Sequence, residues 1–245
     1  MTKKRIIICL TFLDGVLFRT KKFIPDYRYT KNFIDLWSID ELILIDISKK
    51  KFSQNFLKTI NFYSKNCFVP ISVGGGVSSL LEVDTLYQNG ADKIILGSDK
   101  IFDLNLSKQI TQKYGNQALI QSIDCTLIEN TYEIFGKSST KKMNLTAKEG
   151  VLRSMENGVG EILINNIDRD GSLLGYDLNL ISQINKISKN PILALGGAGN
   201  WSHFLNLFKN TNISAACTQN IFHFTENSIV SLKRFLKNNG IEIRS

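Results

Sequence analysis

The chain has 245 residues, 43% apolar and 21% charged, the balance of an ordinary globular protein. This composition excludes a disordered chain, a collagen and a coiled coil, and a chain of this length buries about 70% of its unfolded surface without staples. Thirty basic residues against 22 acidic ones leave a net charge of +8, which favours an anionic partner: a phosphorylated small molecule, a nucleic acid or an acidic protein.

At the N-terminus, Lys3-Lys4-Arg5 and the apolar run 6–13 look superficially like a secretory signal. The run is short, and Asp14-Gly15 stands where small cleavage-site residues belong, so a cytoplasmic protein is expected. No run reaches the ~18 apolar residues of a membrane span. Short, β-branched apolar runs follow at 5–10, 42–47, 69–73, 93–96, 118–123, 161–164, 191–195 and 213–217. They are continuous rather than alternating, as strands buried on both faces require. Helix-like stretches separate them, such as 80–89, ended by Gly90, and 178–189, ended by Asn190-Pro191. Eight strands alternating with helices predict an α/β fold, a single (β/α)8 TIM barrel spanning residues 1–245, with a doubly wound sheet as the alternative.

An internal repeat favours the barrel. Glu41-Leu42-Ile43-Leu44-Ile45 is echoed by Glu161-Ile162-Leu163-Ile164-Asn165, 120 residues later. Ser72-Val73-Gly74-Gly75 is echoed by Ala194-Leu195-Gly196-Gly197, 122 residues later. Two similar half-barrels of four βα units close one barrel.

The repeated glycine turns point to ligand chemistry. Gly74-Gly75-Gly76 and Gly196-Gly197-Ala198-Gly199 each follow a predicted strand and precede a helix. Glycines there let backbone N–H groups approach a phosphate, and the helix start adds partial positive charge. Two such turns at equivalent places predict a ligand with a phosphate at each end. Gly97 and Ser98 would assist one turn, Gln219 and Asn220 the other. The segment 18–31 holds Arg19, Lys21, Lys22, Arg28 and Lys31 with Phe23, Tyr27 and Tyr29, and reads as a basic lid over the site or a solvated loop. Lys49-Lys50-Lys51 reads as a helix start or an exposed charge run. Basic residues among aromatics also suit single-stranded nucleic acid, but no recognised nucleic-acid-binding motif accompanies them. The cysteines, Cys9, Cys67, Cys125 and Cys217, have no metal-type spacing and lie in or beside apolar runs, as reduced core thiols do. His203 and His223 fit no catalytic pair, and His223, between two phenylalanines, reads as packed or at an interface.

Taken together, Asp14-Gly15, Val73-Gly74-Gly75-Gly76, Gly90-Ala91-Asp92-Lys93, Ile167-Asp168-Arg169-Asp170-Gly171, Gly196-Gly197-Ala198-Gly199 and Phe222-His223-Phe224 resemble the cyclase subunit of imidazole glycerol phosphate synthase. The resemblance runs from residue 3 to near the C-terminus. It implies a barrel that pairs with a glutaminase subunit, receives ammonia through its bottom, and converts a bis-phosphorylated ribonucleotide into imidazole glycerol phosphate and an aminoimidazole carboxamide ribotide. It implies no metal or redox cofactor. In that family two aspartates carry the acid–base work. Asp124 matches the second, but Thr11 stands in place of the first, and a hydroxyl is no carboxylate base near neutral pH. The resemblance implies substrate or phosphate contacts from Arg19, Gly76, Gly97, Ser98, Asp170, Gly171, Gly196, Gly197, Gln219 and Asn220. Arg19 replaces a family lysine, Leu195 a serine and Asn165 a threonine. Arg5, Glu41, Lys93 and Glu161 match all four members of a charged ring that gates ammonia. Asp92 matches a residue that bridges to the glutaminase. Asp46, Asp168 and Asp170 are expected to line the top. A barrel of altered catalytic end that delivers ammonia to another acceptor, as relatives serving the amidation of surface sugars do, is the alternative the departures leave open.

Overall fold

The computed structural model describes residues 3–28, 38–48, 51–137, 140–219 and 229–244. The barrel strands are β1 (Arg5–Leu13), β4 (Glu41–Asp46), β5 (Ile71–Gly74), β6 (Lys93–Leu96), β7 (Leu119–Ile128), β10 (Glu161–Asn166), β11 (Ile192–Leu195) and β12 (Ala215–Thr218). Each pairs in parallel with the next, and β12 returns to β1, which closes an eight-stranded (β/α)8 barrel.

Two antiparallel hairpins rise from the barrel mouth. One is β2 (Val16–Lys21) with β3 (Ile24–Arg28), continuing from β1; the other is β8 (Thr131–Gly136) with β9 (Lys141–Thr146), continuing from β7. They stand on the first and fifth barrel strands, equivalent places in the two halves. The basic segment after the first strand is therefore largely a hairpin rather than a loop. Tyr29 and Lys31, also assigned to it, lie outside the described residues.

Seven α-helices surround the barrel among the described residues: α1 (Gln54–Asn66), α2 (Leu80–Gln88), α3 (Leu104–Tyr114), α4 (Ala147–Glu156), α5 (Leu178–Asn185), α6 (Trp201–Asn210) and α7 (Ile229–Asn238). Their local chemistry explains their starts. Ser53, Ser79, Asp103, Thr146, Asp177 and Asn200 each accept a backbone N–H from the first turn, and Thr146 with Glu149 forms a complete capping box. The predicted helix 178–189 ends earlier, at Asn185. Ile187 and Ser188 both donate to the Ile184 carbonyl, and the Ser188 hydroxyl then bonds Asn190, forming a turn before Pro191.

Two apolar layers result. The outward faces of the strands pack on the helices; Phe56 and Tyr63 of α1, for example, meet the Phe12 ring in tilted and edge-on contacts. The inward faces, including Ile7, Cys9, Ile43, Ile95, Ile120, Leu163, Leu193, Ala215 and Cys217, fill the barrel. Burying one such aliphatic side chain contributes ~1.5–3 kcal/mol. All four cysteines are buried free thiols. Among the described residues, no helix is long and apolar enough to cross a membrane.

Candidate active site

At the carboxyl ends of the strands lies a cavity of about 480 Å³. Both glycine turns reach it: Gly75 and Gly76 on one side, Gly196 and Gly197 on the other, with Gly97, Ser98, Asp170, Gly171 and Gln219 between them. The turns require glycine for a local reason. Gly75 (φ +121°) packs on the end of β4, where a Cβ would stand 2.1 Å from the Asp46 carbonyl oxygen. Gly197 (φ +101°) packs on the loop after β10, where a Cβ would stand 2.1 Å from that of Gly175. The sequence repeat thus becomes a structural one: each turn is backed by the loop of the preceding strand.

Asp124 ends the inward row of β7 and lines the cavity. Its carboxylate accepts from Ser98 Oγ at 3.0 Å, Ser122 Oγ at 3.2 Å and Asn165 Nδ2 at 3.3 Å. Burial raises the carboxyl from 3.8 to about 6; the three hydrogen bonds restrain the rise and the like charge of Asp99 adds to it. A carboxyl at that value is mostly ionised at neutral pH yet able to hold a proton, the requirement for acid–base work. Cys9, also in the lining, is pushed up to about 12 by burial, with Asp170 and Asp124 adding to the effect. It stays a thiol rather than a nucleophile.

Thr11 lies on β1, across the barrel from Asp124, and reaches Gln219 Oε1 at 3.5 Å. Gln219 in turn donates to the Phe18 carbonyl at 2.6 Å. Leu195 also faces the cavity. Several expected contributors are placed differently. Arg19 is outside the lining, and its guanidinium pairs with Asp26 of the same hairpin. Asp46 borders the cavity, but its carboxylate accepts from Ser48 N, Ser48 Oγ and Phe52 N, which commits it to shaping its own loop. Asp168, expected to line the top, is outside the lining, paired with Lys22 at 3.8 Å and bonded to Thr126. Asn220, His223, Lys49 and Lys50 lie outside the described residues. His203 lies in the first turn of α6 behind the second glycine turn and is not itself in the lining; its Nδ1 accepts from Gly199 N at 3.0 Å.

Asp170 holds the first hairpin down. Its carboxylate accepts from Phe23 N at 2.9 Å and Thr20 Oγ at 3.3 Å, and its carbonyl accepts from Lys22 N at 3.3 Å. Burial raises its carboxyl, and the Phe23 and Thr20 bonds oppose that rise. Phe23, at the hairpin tip, is thereby set into the cavity wall.

At the opposite end, the inward side chains of Arg5, Glu41, Lys93 and Glu161 form a closed ring of alternating charge. Arg5 contacts Glu41 at 2.5 Å and Glu161 at 2.6 Å; Lys93 contacts Glu41 at 3.1 Å and Glu161 at 2.7 Å. Burial works against the Glu161 charge, but Arg5 and Lys93 outweigh it and hold the carboxyl below its ordinary value. Burial opposes the Arg5 charge as well, and Glu161 and Glu41 overcome it. Arg244, near the C-terminus, approaches Glu41 at 3.8 Å from outside. Asp92 is exposed at this end, and its carboxylate accepts from Ile71 N at 2.8 Å.

A (β/α)8 barrel with paired glycine turns at the mouth, one perturbed carboxylate between them and a buried charge ring at the base defines the class: a barrel with a glycine-walled cavity at one end and a closed charge ring at the other. The model of the histidine biosynthesis protein family matches residues 8–228. Over 250 residues the chain is 34% identical to a protein of Natranaerobius thermophilus named imidazole glycerol phosphate synthase subunit HisF, with both chains fully covered. Proteins of the same name from Staphylococcus carnosus and Metallosphaera sedula are 33% and 34% identical, over all of this chain and 99% and 100% of theirs. The chain belongs to the histidine biosynthesis protein family, as a relative of its HisF cyclase subunits.

Proposed function

We propose that this chain is the ammonia-using synthase subunit of a glutamine amidotransferase. A glutaminase subunit docks at the ring end, near Asp92, and releases ammonia there. The ammonia passes the ring of Arg5, Glu41, Lys93 and Glu161 and moves up the barrel to a bis-phosphorylated ribonucleotide spanning the two glycine turns. The products are imidazole glycerol phosphate and an aminoimidazole carboxamide ribotide, and the setting is the cytoplasm, where buried reduced thiols persist. The observation that supports this best is the common axis of the two features: the ring closes the base of the same barrel whose mouth holds both turns and Asp124. Ser72 supports a polar path between them. It points inward in register with Lys93, and its hydroxyl is buried without a hydrogen-bond partner among the described residues.

Asp124 is the acid–base group. Ionised, it takes a proton from the attacking nitrogen; protonated, it returns one to the leaving atom. Ser98, Ser122 and Asn165 hold it in place for both. The Gly76, Gly97 and Ser98 side and the Gly196, Gly197 and Gln219 side hold the two phosphates.

A second reading is favoured by Thr11. It puts a hydroxyl where the matching reaction uses a second carboxylate, and Leu195 removes a hydroxyl from one phosphate turn. In that reading the ammonia path is kept and the acceptor is different. The test is turnover of the bis-phosphorylated ribonucleotide with ammonium salts, by the wild type and by Thr11→Asp. Wild-type product supports cyclisation. A gain of about 10²–10⁴-fold in Thr11→Asp shows that only the missing carboxylate limited the rate. Product from neither protein rejects cyclisation and leaves the second reading.

A further inference from the structure

The half-barrel repeat supplies each glycine turn with one cation from the loop that backs it, but only one of the two faces the cavity. In the second half this residue is Arg169. Its Cβ lies 3.3 Å from where a Gly197 Cβ would be, but its guanidinium turns away to the Leu174 carbonyl at 3.3 Å and takes no part in the lining. In the first half it is Lys51, the last residue of the run that the sequence suggests is an exposed charge cluster. Lys51 is half-buried and lines the cavity. A Cβ on Gly76 would stand 2.9 Å from Lys51 Cε and 3.6 Å from Nζ, so the ammonium lies directly against the open face of the turn. Its described hydrogen bond is a long one, to the Asp46 carbonyl at 3.3 Å. Among the described residues it has no carboxylate within 4.0 Å, whereas the ring lysine, Lys93, has two.

A half-buried ammonium against a glycine turn in the cavity wall, without a carboxylate of its own among the described residues, is matched to an anion that the cavity receives. We propose that Lys51 is a direct ligand of the phosphate held at the Gly75–Gly76 end, and that it makes this end the tighter of the two anion subsites. This rests on the phosphate reading of the cavity given above. Lys51 also gives the ligand a direction: the more highly charged terminus seats against Lys51, and the other lies toward Leu195. The carboxylates nearby do not compete for the ammonium, because Asp46 is occupied by Ser48 and Phe52 and Asp124 by Ser98, Ser122 and Asn165.

Titration of the purified protein with inorganic phosphate, followed by calorimetry, tests the assignment. The wild type is expected to show a tighter and a weaker phosphate. Lys51→Met should weaken the tighter one by about tenfold or more, the worth of one charged hydrogen bond, Lys51→Arg should largely restore it, and Lys65→Met, on the outer end of α1, should change neither. A second measurement needs no variant: saturating phosphate should slow acetylation of the Lys51 amine, read by mass spectrometry. Unchanged phosphate binding in Lys51→Met, or an acetylation rate indifferent to phosphate, overturns the role of Lys51 while leaving the cavity a phosphate site. A wild type that binds no phosphate overturns both.

Discussion

Asp124→Asn separates chemistry from stability, and the two should move in opposite directions. The folded protein holds this carboxyl at about 6, against an ordinary value of 3.8. Keeping it ionised at neutral pH therefore costs about 3 kcal/mol, and we expect roughly 1–3 kcal/mol because the group borders an open cavity. Asparagine removes that cost with little change of shape. Asn165 can still donate to the remaining carbonyl, and the hydroxyls of Ser98 and Ser122 can rotate to accept. The sign follows from proton linkage. Folding raises this carboxyl, so the wild-type penalty is fully present above about pH 6 and disappears as the pH falls toward 3.8. Urea unfolding at pH 8 should thus find the variant more stable than the wild type, with the gap shrinking by pH 4.5. Turnover should fall by about 10²–10⁴-fold, and the wild-type rate should decline in acid with a midpoint near pH 6. A variant that is less stable at pH 8, or a stability gap indifferent to pH, would refute the assignment of the raised carboxyl to burial. Retained turnover would remove Asp124 from the chemistry.

Other perturbations probe the two ends of the barrel. Glu161→Gln leaves Arg5 and Lys93 with one carboxylate in a buried ring, and should lose about 3 kcal/mol of stability at pH 7, measured by urea unfolding. Because folding lowers the Glu161 carboxyl, that loss should be complete above the ordinary value of 4.5 and vanish as acid protonates the wild type; a gap that persisted in acid would argue against the ion pairs. Asp170→Ala removes the acceptors of Phe23 N and Thr20 Oγ. At about 1.5–3 kcal/mol for bonds to a charged group, amide exchange in the hairpin 16–28 should quicken by about tenfold or more, while unaltered exchange would mean that the hairpin is held elsewhere.

Strand order was legible in the sequence because the barrel strands are buried on both faces. A continuous apolar run such as 6–10 is too short for a helix and leaves no polar face for a half-exposed strand. The ring was legible because its charges sit at strand starts and match a known pattern. The hairpins were not. β3 is exposed along its whole length and contains Pro25, so it shows no alternation. The turn before it places Lys22 (φ +51°) and Phe23 (φ +66°) in left-handed backbone, without the Asn or Gly that normally announces such a turn. Lys51 was hidden for another reason. Composition marks it as one of three consecutive lysines, and only the approach of Gly76, 25 residues later in the chain, turns its ammonium into part of the cavity. The place of Asp46 at the top was legible but its role was not, because nothing in its sequence context shows that Ser48 and Phe52 occupy both of its oxygens.

For the proposed function to hold, nitrogen must reach the cavity from below, inside the barrel. With the glutaminase subunit bound, the protein can be given glutamine labelled with ¹⁵N in its amide, an excess of unlabelled ammonium in solution, and the acceptor that the ammonium assay identifies. Passage through the ring predicts product enriched in ¹⁵N far above the ratio of free ammonium in solution. Product labelled at the solution ratio would mean that ammonia arrives from outside, and the through-barrel route would be wrong.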